Sequence, residues 1–347
     1  MKPLLQINDL HIGAVRTGGT TPATAAKLRA NLLADYAGLL DMAGTDDVLI
    51  NGDWLDTASI PFNDLLQTYL ITAQWLALPH APKLYAARGN HDMTKNSAVL
   101  SSFDLLCSLL TERFPEQVKT ITELTKIDES VYVLPHMANQ DLFELELSKV
   151  PACYALFLHC NVSNNFAAKS DHSLNLSLDQ AKTLKVDKII VAHEHQHRRY
   201  LDGKIEIVGN QVPSSVADCL GNDTKFAVRL TDEHGLQWLP TWEAKGSYIE
   251  MDWQALDLGS THDFVRITGK ASAAQASDVV AAVSALRKTS SAIVITNAVE
   301  IEGTNDGASM QVSLEQIKSF SVLEELLKIL NDKERMVVTG LLEKNQL

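Results

Sequence analysis

Five short apolar runs, each ending in Asp, Asn or His, constrain this chain more than any other feature of it. The clearest is Val48 to Asp56, VLINGDWLD: Val48, Leu49 and Ile50 make a buried strand, Asn51-Gly52 ends it, and Asp53 and Asp56 follow. A strand stopped by Asn-Gly-Asp delivers a carboxylate to the carboxyl edge of its sheet, where open α/β sheets place their sites. The same grammar recurs. Leu4 to Ile7 runs into Asn8-Asp9-Leu10-His11, Lys83 to Ala87 into Gly89-Asn90-His91-Asp92, Tyr154 to Leu158 into His159, and Lys188 to Val191 into His193-Glu194-His195.

Helical patterns separate the first three strands. Leu28, Leu32, Leu39 and Leu40 form an apolar stripe over about 23–42, and Leu65, Leu66, Tyr69, Leu70, Ala73 and Leu76 form a second. Ser101 to Phe114 reads as a third helix and Thr120 to Pro135 as short strands with turns. Strands alternating with helices mean a layered α/β architecture. Asn161 to Ser177 is polar and irregular, a candidate substrate-facing loop. Asp171 and His172 within it are candidate substrate contacts, although a solvated loop is the plainer account. Beyond His195, the runs Ile205 to Val208, Phe226 to Leu230 and Leu236 to Leu239 are expected as antiparallel strands closing a second sheet over the first. The expected fold is therefore a four-layer αββα sandwich.

A composition shift near Lys245 to Thr261 marks a boundary. After it, Phe264 to Thr268 reads as a strand, Ala274 to Arg287 as a helix and Ala292 to Ile301 as a strand, together a small α/β module. Phe320, Leu323, Leu327 and Leu330 then make a short coiled-coil-like stripe, equally a helix packed on its own domain or a partner site. The expected division is 1–250 for the sandwich, 260–305 for the small module and 312–347 for the helical carboxyl-terminal segment.

With 347 residues the chain can bury a large core. Its four cysteines (Cys107, Cys153, Cys160, Cys219) lack metal-clip or ladder spacing, which argues against a disulfide framework and fits a reducing cytoplasm. Met1-Lys2-Pro3 leads into a strand with no charged-then-apolar leader, and no run approaches the ~18 apolar residues of a membrane span. The expectation is a cytoplasmic protein without membrane contact. A net charge of -13 speaks against a generic basic nucleic-acid coat. Carboxylates that bind dications change that inference, because the loaded metals attract phosphate.

Hard dications take oxygen or imidazole ligands, and a two-metal site needs a ligand that bridges ions ~3.5 to 4 Å apart, for which Asp is suited. The strand ends supply Asp9, His11, Asp53, Asn90, His159, His193 and His195. Imidazole, carboxylate and one amide suit Mn²⁺, Fe²⁺ or Zn²⁺ better than Mg²⁺ or Ca²⁺.

In these residues the chain resembles the calcineurin-like metallophosphoesterases, whose pattern is DxH, GDxxD, GNH(D/E), a lone His and GHxH. The counterparts are Asp9-Leu10-His11, Gly52-Asp53-Trp54-Leu55-Asp56, Gly89-Asn90-His91-Asp92, His159 and Ala192-His193-Glu194-His195, with Ala192 where the family usually has Gly. A rival register for the last motif is His195-Gln196-His197. The resemblance implies that Asp9, His11, Asp53 and His195 hold one divalent metal, most readily Mn²⁺, and Asp53, Asn90, His159 and His193 a second. It makes His91 the leaving-group acid or transition-state stabiliser, with Asp56 orienting its ring. The implied reaction is in-line attack of metal-activated water on phosphorus. His136, His172, His197 and His234 are left as surface histidines or histidines behind the ligands.

Within the superfamily the chain is most similar to SbcD-type DNA nuclease subunits, whose cellular and phage versions work with an SbcC-type SMC-like ATPase. The similarity rests on DLHIG at Asp9 to Gly13, on GDWLDTASIP, on GNHD, and on Gly209-Asn210-Gln211-Val212-Pro213-Ser214 after the last motif. It implies a DNA substrate and an SbcC-like ATPase partner, leaves room for a homodimer, and places the protein in a bacterial cell or phage-infected host. The small module resembles a DNA-capping domain and the terminal stripe an ATPase-binding segment. Arg198-Arg199 is either a DNA-backbone contact or a solvated charged turn. The competing functions are a nucleotide phosphodiesterase or phosphatase on the same scaffold, and a non-catalytic scaffold, which predicts eroded ligands where none of the seven is eroded.

Overall fold

Two six-stranded sheets, each backed by helices, bring the strand ends together in this computed structural model. It describes residues 2–16, 19–94, 99–164, 174–221, 223–231, 233 and 235–302. In chain order, β1 (Leu4–Ile7), α1 (Pro22–Ala43), β2 (Asp47–Asn51), α2 (Phe62–Leu76), β3 (Leu84–Ala87), α3 (Ser102–Arg113) and β4 (Val118–Ile121) wind the first sheet. The second takes β5 (Thr125–Asp128), β6 (Val131–Leu134), α4 (Gln140–Leu147), β7 (Cys153–His159), the short pair β8 (Asn161–Val162) and β9 (Asn175–Leu176), α5 (Leu178–Thr183), β10 (Val186–Ala192), β11 (Arg198–Tyr200) and β12 (Ile205–Ile207). Then come α6 (Val216–Cys219), β13 (Thr224–Leu230) and β14 (Leu236–Glu243).

Local chemistry sets these boundaries. Thr21 caps α1 with Pro22 in its first turn, and Gly44 ends it at φ 58°. Ser101 and Asp104 form a reciprocal capping box at α3. In β2, Val48 and Ile50 face the helices beside Leu32, Tyr36 and Trp75, whereas Leu49 faces the other sheet. That alternation is the two-residue period of a strand, here apolar on both faces. Between the sheets, Leu49, Ala87 and Ile121 meet Val133, Ala155, Phe157 and Ile190. On the outer face of the second sheet, Phe143, Leu147 and Ala181 cover Leu156, Leu158 and Ile189. The four-layer sandwich is therefore the observed architecture.

The strand order is β14-β13-β1-β2-β3-β4 in one sheet and β11-β12-β10-β7-β6-β5 in the other. β1 to β4 are mutually parallel, as are β6, β7, β10 and β12, so their carboxyl ends share an edge within each sheet. Two expectations need correction. Ile205–Ile207 is antiparallel to β11 but parallel to β10, and β13 and β14, antiparallel as expected, extend the first sheet beside β1 instead of closing the second. The reason is the crossing through α6, which returns the chain to the free edge of β1. Asn161 to Ser177, expected without regular structure, carries the β8–β9 pair, while Asp171 and His172 lie outside the described residues.

β15 (Tyr248–Asp252), β16 (Phe264–Thr268), β17 (Lys270–Ser272), α7 (Ala276–Thr289), β18 (Val294–Asn297) and β19 (Glu300–Glu302) complete the described chain. β15, β16 and β18 form a parallel sheet whose Val265, Ile267 and Ile295 pack on Val279, Val283 and Leu286 of α7. The expected strand over Ala292 to Ile301 is split, because the Asn297 side chain accepts from Val299 N at 3.1 Å and turns the chain. Phe264, Ile293 and Val294 join the core under the first sheet, and Ile295 N donates to Gly19 O at 2.8 Å. The terminal stripe and the segment 312–347 lie outside the described residues, as does His234. Among the described residues no helix is long and apolar enough to cross a membrane, and the four cysteines are free.

Candidate active site

The loops after β1 and β2 zip together. Asp9 N donates to Gly52 O, His11 N to Asp53 O and Ile12 N to Trp54 O at 3.0–3.1 Å, and Asp56 N returns to Ile12 O. This fixes Asp9 and His11 against Asp53. Asp9, His11 and Asp53 all adopt φ near 50°, and His193 has φ 90°, a backbone region that costs a non-glycine residue energy and collects at functional sites. Gly52 (φ 86°) and Gly89 make room. A methyl on Gly52 would overlap the His159 ring, and one on Gly89 would overlap the Asp53 carboxylate.

All seven strand-end residues meet. Asp9, His11 and His195 form one donor group, Asp53, His159 and His193 another, and His11, Asp53 and His91 a third, the donor atoms of each lying within 4.8 Å of one another. Asn90 joins the second group: its Oδ1 stands 3.0 Å from His159 Nε2 and 3.0 Å from His193 Nδ1. Asp53, Asp9, His11 and His159 are all buried. His197 belongs to none of these groups among the described residues, and its ring lies edge-on to Trp238 at 4.7 Å.

The donor chemistry calls for a cation. His159 Nδ1 donates to Asn51 O at 2.9 Å, so in the neutral ring Nε2 carries a lone pair, yet it faces the oxygens of Asn90 and, at 3.4 Å, Asp53. A proton or a metal must sit between them. With no metal, burial disfavours the imidazolium, but the charge and hydrogen bond of Asp53 prevail and raise the His159 pKa to about 9. Asp53 mirrors this: burial favours its acid form, yet His159, with His11 and His91, holds the carboxyl well below the usual range. Asp9 Oδ2 accepts from Asn8 Nδ2 at 2.6 Å and His193 N at 3.0 Å, leaving buried Oδ1 without a hydrogen bond. His11 Nε2 and His195 Nε2 face each other at 3.1 Å, and burial pulls the His11 pKa well below the usual histidine value, against the charge of Asp53. Unpaired oxygen and imidazole lone pairs in a buried cluster fit two dications.

Asp56 is the partner of the His91 ring, but through its main chain. His91 Nδ1 donates to the main-chain carbonyl of Asp56 at 2.5 Å, whereas the Asp56 carboxylate pairs with Arg16 Nη1 at 3.1 Å and lies 3.5 Å from His11 Nδ1. The turn after Asp53 points the side chain back toward the first loop. A second bond, from His91 N to Asp53 Oδ1 at 2.9 Å, ties the His91 backbone to the cluster.

Several contacts around the cluster could not be read from the sequence. Asp92 receives Leu55 N and Gly89 N and locks the second and third loops together; burial and the Asp53 charge raise its pKa to about 7. Gln211 accepts from Asn8 N at 2.6 Å, and Asn8 Nδ2 also donates to Gly209 O, so the Gly209 to Ser214 turn is part of the site's foundation. Glu194 Oε1 accepts from Val162 N, tying the last motif to the strand after His159. His136 stacks edge-on to His159 at 6.2 Å. Asp218, buried, accepts from His195 Nδ1 at 2.6 Å. Its sequence signal was only a helix cap, Ser215-Val216-Ala217-Asp218, which says nothing of a histidine 23 positions earlier. Arg198 and Arg199 are held by Glu194 and Glu206.

The calcineurin-like phosphoesterase family matches residues 2–197, more than half of the chain and every one of the clustered motifs. No curated protein matches it significantly. The clustered donors, their need for a cation and this match lead to one conclusion: the chain belongs to the calcineurin-like phosphoesterases, hydrolases that cleave phosphoesters with divalent metals.

Proposed function

We propose that this protein is a DNA exonuclease and endonuclease subunit that works with an SbcC-like ATPase in DNA end processing. The observation that carries the proposal is the Gly209 to Ser214 turn. It is one of the stretches in which the chain resembles SbcD-type nucleases, and it is bonded to the site through Asn8 and through Arg16, whose Nη2 donates to Ser214 Oγ at 2.8 Å.

Asp9, His11, Asp53 and His195 would hold one ion and Asp53, Asn90, His159 and His193 the other, with Mn²⁺ the metal best suited to the donor set. When bound, the metals supply Lewis-acid stabilisation of the phosphate and an activated water. The chain's own residues do the rest. With Nδ1 committed to the Asp56 carbonyl, His91 takes up or gives a proton only at Nε2, which makes it the group to protonate the leaving oxygen. The bond from His91 N to Asp53 keeps that ring in register with the cluster. Arg16, held between Asp56 and Ser214, places a positive charge beside His11, where an anionic phosphodiester approaches.

Purified protein with Mn²⁺ is expected to degrade linear DNA, weakly alone because of the net charge of -13 and more strongly with a co-purified ATPase. Brisk hydrolysis of small phosphodiesters with no action on linear or single-stranded DNA would replace this proposal with a nucleotide phosphodiesterase.

A further inference from the structure

We infer that Asp218 is a positioning residue for His195, fixing which ring nitrogen is offered to a metal; the inference rests on the two-metal site proposed above. Asp218 lies 26 positions beyond Ala192, the end of β10, in the short helix α6, and its side chain is 5% exposed. Its two oxygens are divided. Oδ2 accepts from Ser214 N at 2.8 Å, Ser215 N at 2.9 Å and Ser214 Oγ at 3.1 Å. Oδ1 is 2.6 Å from His195 Nδ1.

A carboxylate so placed accepts only, so the Nδ1 proton of His195 is held there and Nε2 presents its lone pair toward His11 and Asp9. The same turn reaches the other ring of that donor group. Ser214 Oγ receives Arg16 Nη2, Arg16 Nη1 pairs with Asp56, and the Asp56 carboxylate stands 3.5 Å from His11 Nδ1. Two aspartates bridged by Ser214 and Arg16 thus back His195 and His11. Among the described residues no comparable carboxylate backs His159, whose Nδ1 goes to a carbonyl.

Asp218→Asn separates positioning from helix capping. The asparagine oxygen keeps the two backbone donors of Ser214 and Ser215, which turns its NH₂ toward His195 and forces the ring to accept at Nδ1 and carry its proton on Nε2. Chelated wild-type protein titrated with Mn²⁺ in a calorimeter is expected to show two binding steps. Asp218→Asn is expected to weaken one step 10–100-fold, the usual loss for an outer partner of a metal-bound histidine, and to spare the other. Ser215→Ala, which removes only the cap bond to Asp218 N, is expected to leave both steps at wild-type strength. Two unchanged steps in Asp218→Asn, or equal weakening in Ser215→Ala, overturn the inference. Imidazole nitrogen NMR of the wild-type protein gives a check that needs no variant to fold: His195 must carry its proton on Nδ1 when Mn²⁺ is replaced by diamagnetic Zn²⁺, and a bare Nδ1 overturns it as well. Wild-type protein that takes up no dication overturns the two-metal site itself, and the inference with it.

Discussion

At the scale of single residues, His159 holds the tension of the site. Its Nε2 faces two oxygens, so either a proton or a metal occupies the space, and the two compete. With the metal-free pKa raised to about 9, metal uptake below that value must expel a proton. Affinity at the second ion is therefore expected to fall about tenfold per pH unit below the His159 pKa, with close to one proton released per ion, measured by calorimetry in buffers of different ionisation heat. In chelated protein the sign for stability follows from the same shift. The His159–Asp53 pair stabilises fully below the ordinary histidine value near 6.5 and is lost as pH rises through about 9. His91 has a different character, since its Nδ1 is committed to a carbonyl. His91→Asn is expected to lower kcat by about 10²–10⁴ while metal stoichiometry stays at the wild-type value. Loss of an ion in that variant would make His91 a ligand and remove it from proton transfer.

At the scale of elements, the site exists because strand ends from two sheets approach within van der Waals contact. Gly52 is the narrowest point, and Gly52→Ala adds a methyl where the His159 ring lies, at a φ of 86°. The backbone penalty of about 1–2 kcal/mol and overpacking of about 1–3 kcal/mol are expected to lower the denaturation midpoint and displace His159. Phe157 lies between the sheets, two residues before His159, and Phe157→Ala is expected to cost about 3–5 kcal/mol in urea unfolding. The strands and helices of the first sheet were legible because apolar periodicity and turn residues coincide there, as at Val48 to Gly52. The clustered seven were legible because each of them ends or follows a strand. What could not be read were partners set by chain crossings. β13 joins β1 only because α6 carries the chain back, and α6 likewise puts Asp218 under His195. Asp56 was legible as the residue that orients His91, but not that its carbonyl makes the bond while its carboxylate pairs with Arg16, since sequence spacing cannot tell the two apart.

At the scale of the whole molecule, buried unpaired donors are a liability that metal binding removes. Free ion at 100 times its dissociation constant is expected to stabilise the fold by about 2.7 kcal/mol per site, visible as a rise in thermal midpoint that chelation reverses. The net charge of -13 opposes anionic substrates, so metal loading is also what makes a phosphate-binding face out of an acidic protein. Asp53 is the residue on which both donor groups turn, through His11 and His91 on one side and His159 and His193 on the other. The most direct measurement is therefore a Mn²⁺ titration of chelated wild-type and Asp53→Ala protein, with hydrolysis of a phosphodiester followed at every point. The two-metal account predicts two ions per wild-type chain, activity that appears as the second is taken up, and neither paired binding nor activity in Asp53→Ala. Full activity with one ion, or two ions retained by Asp53→Ala, would contradict it.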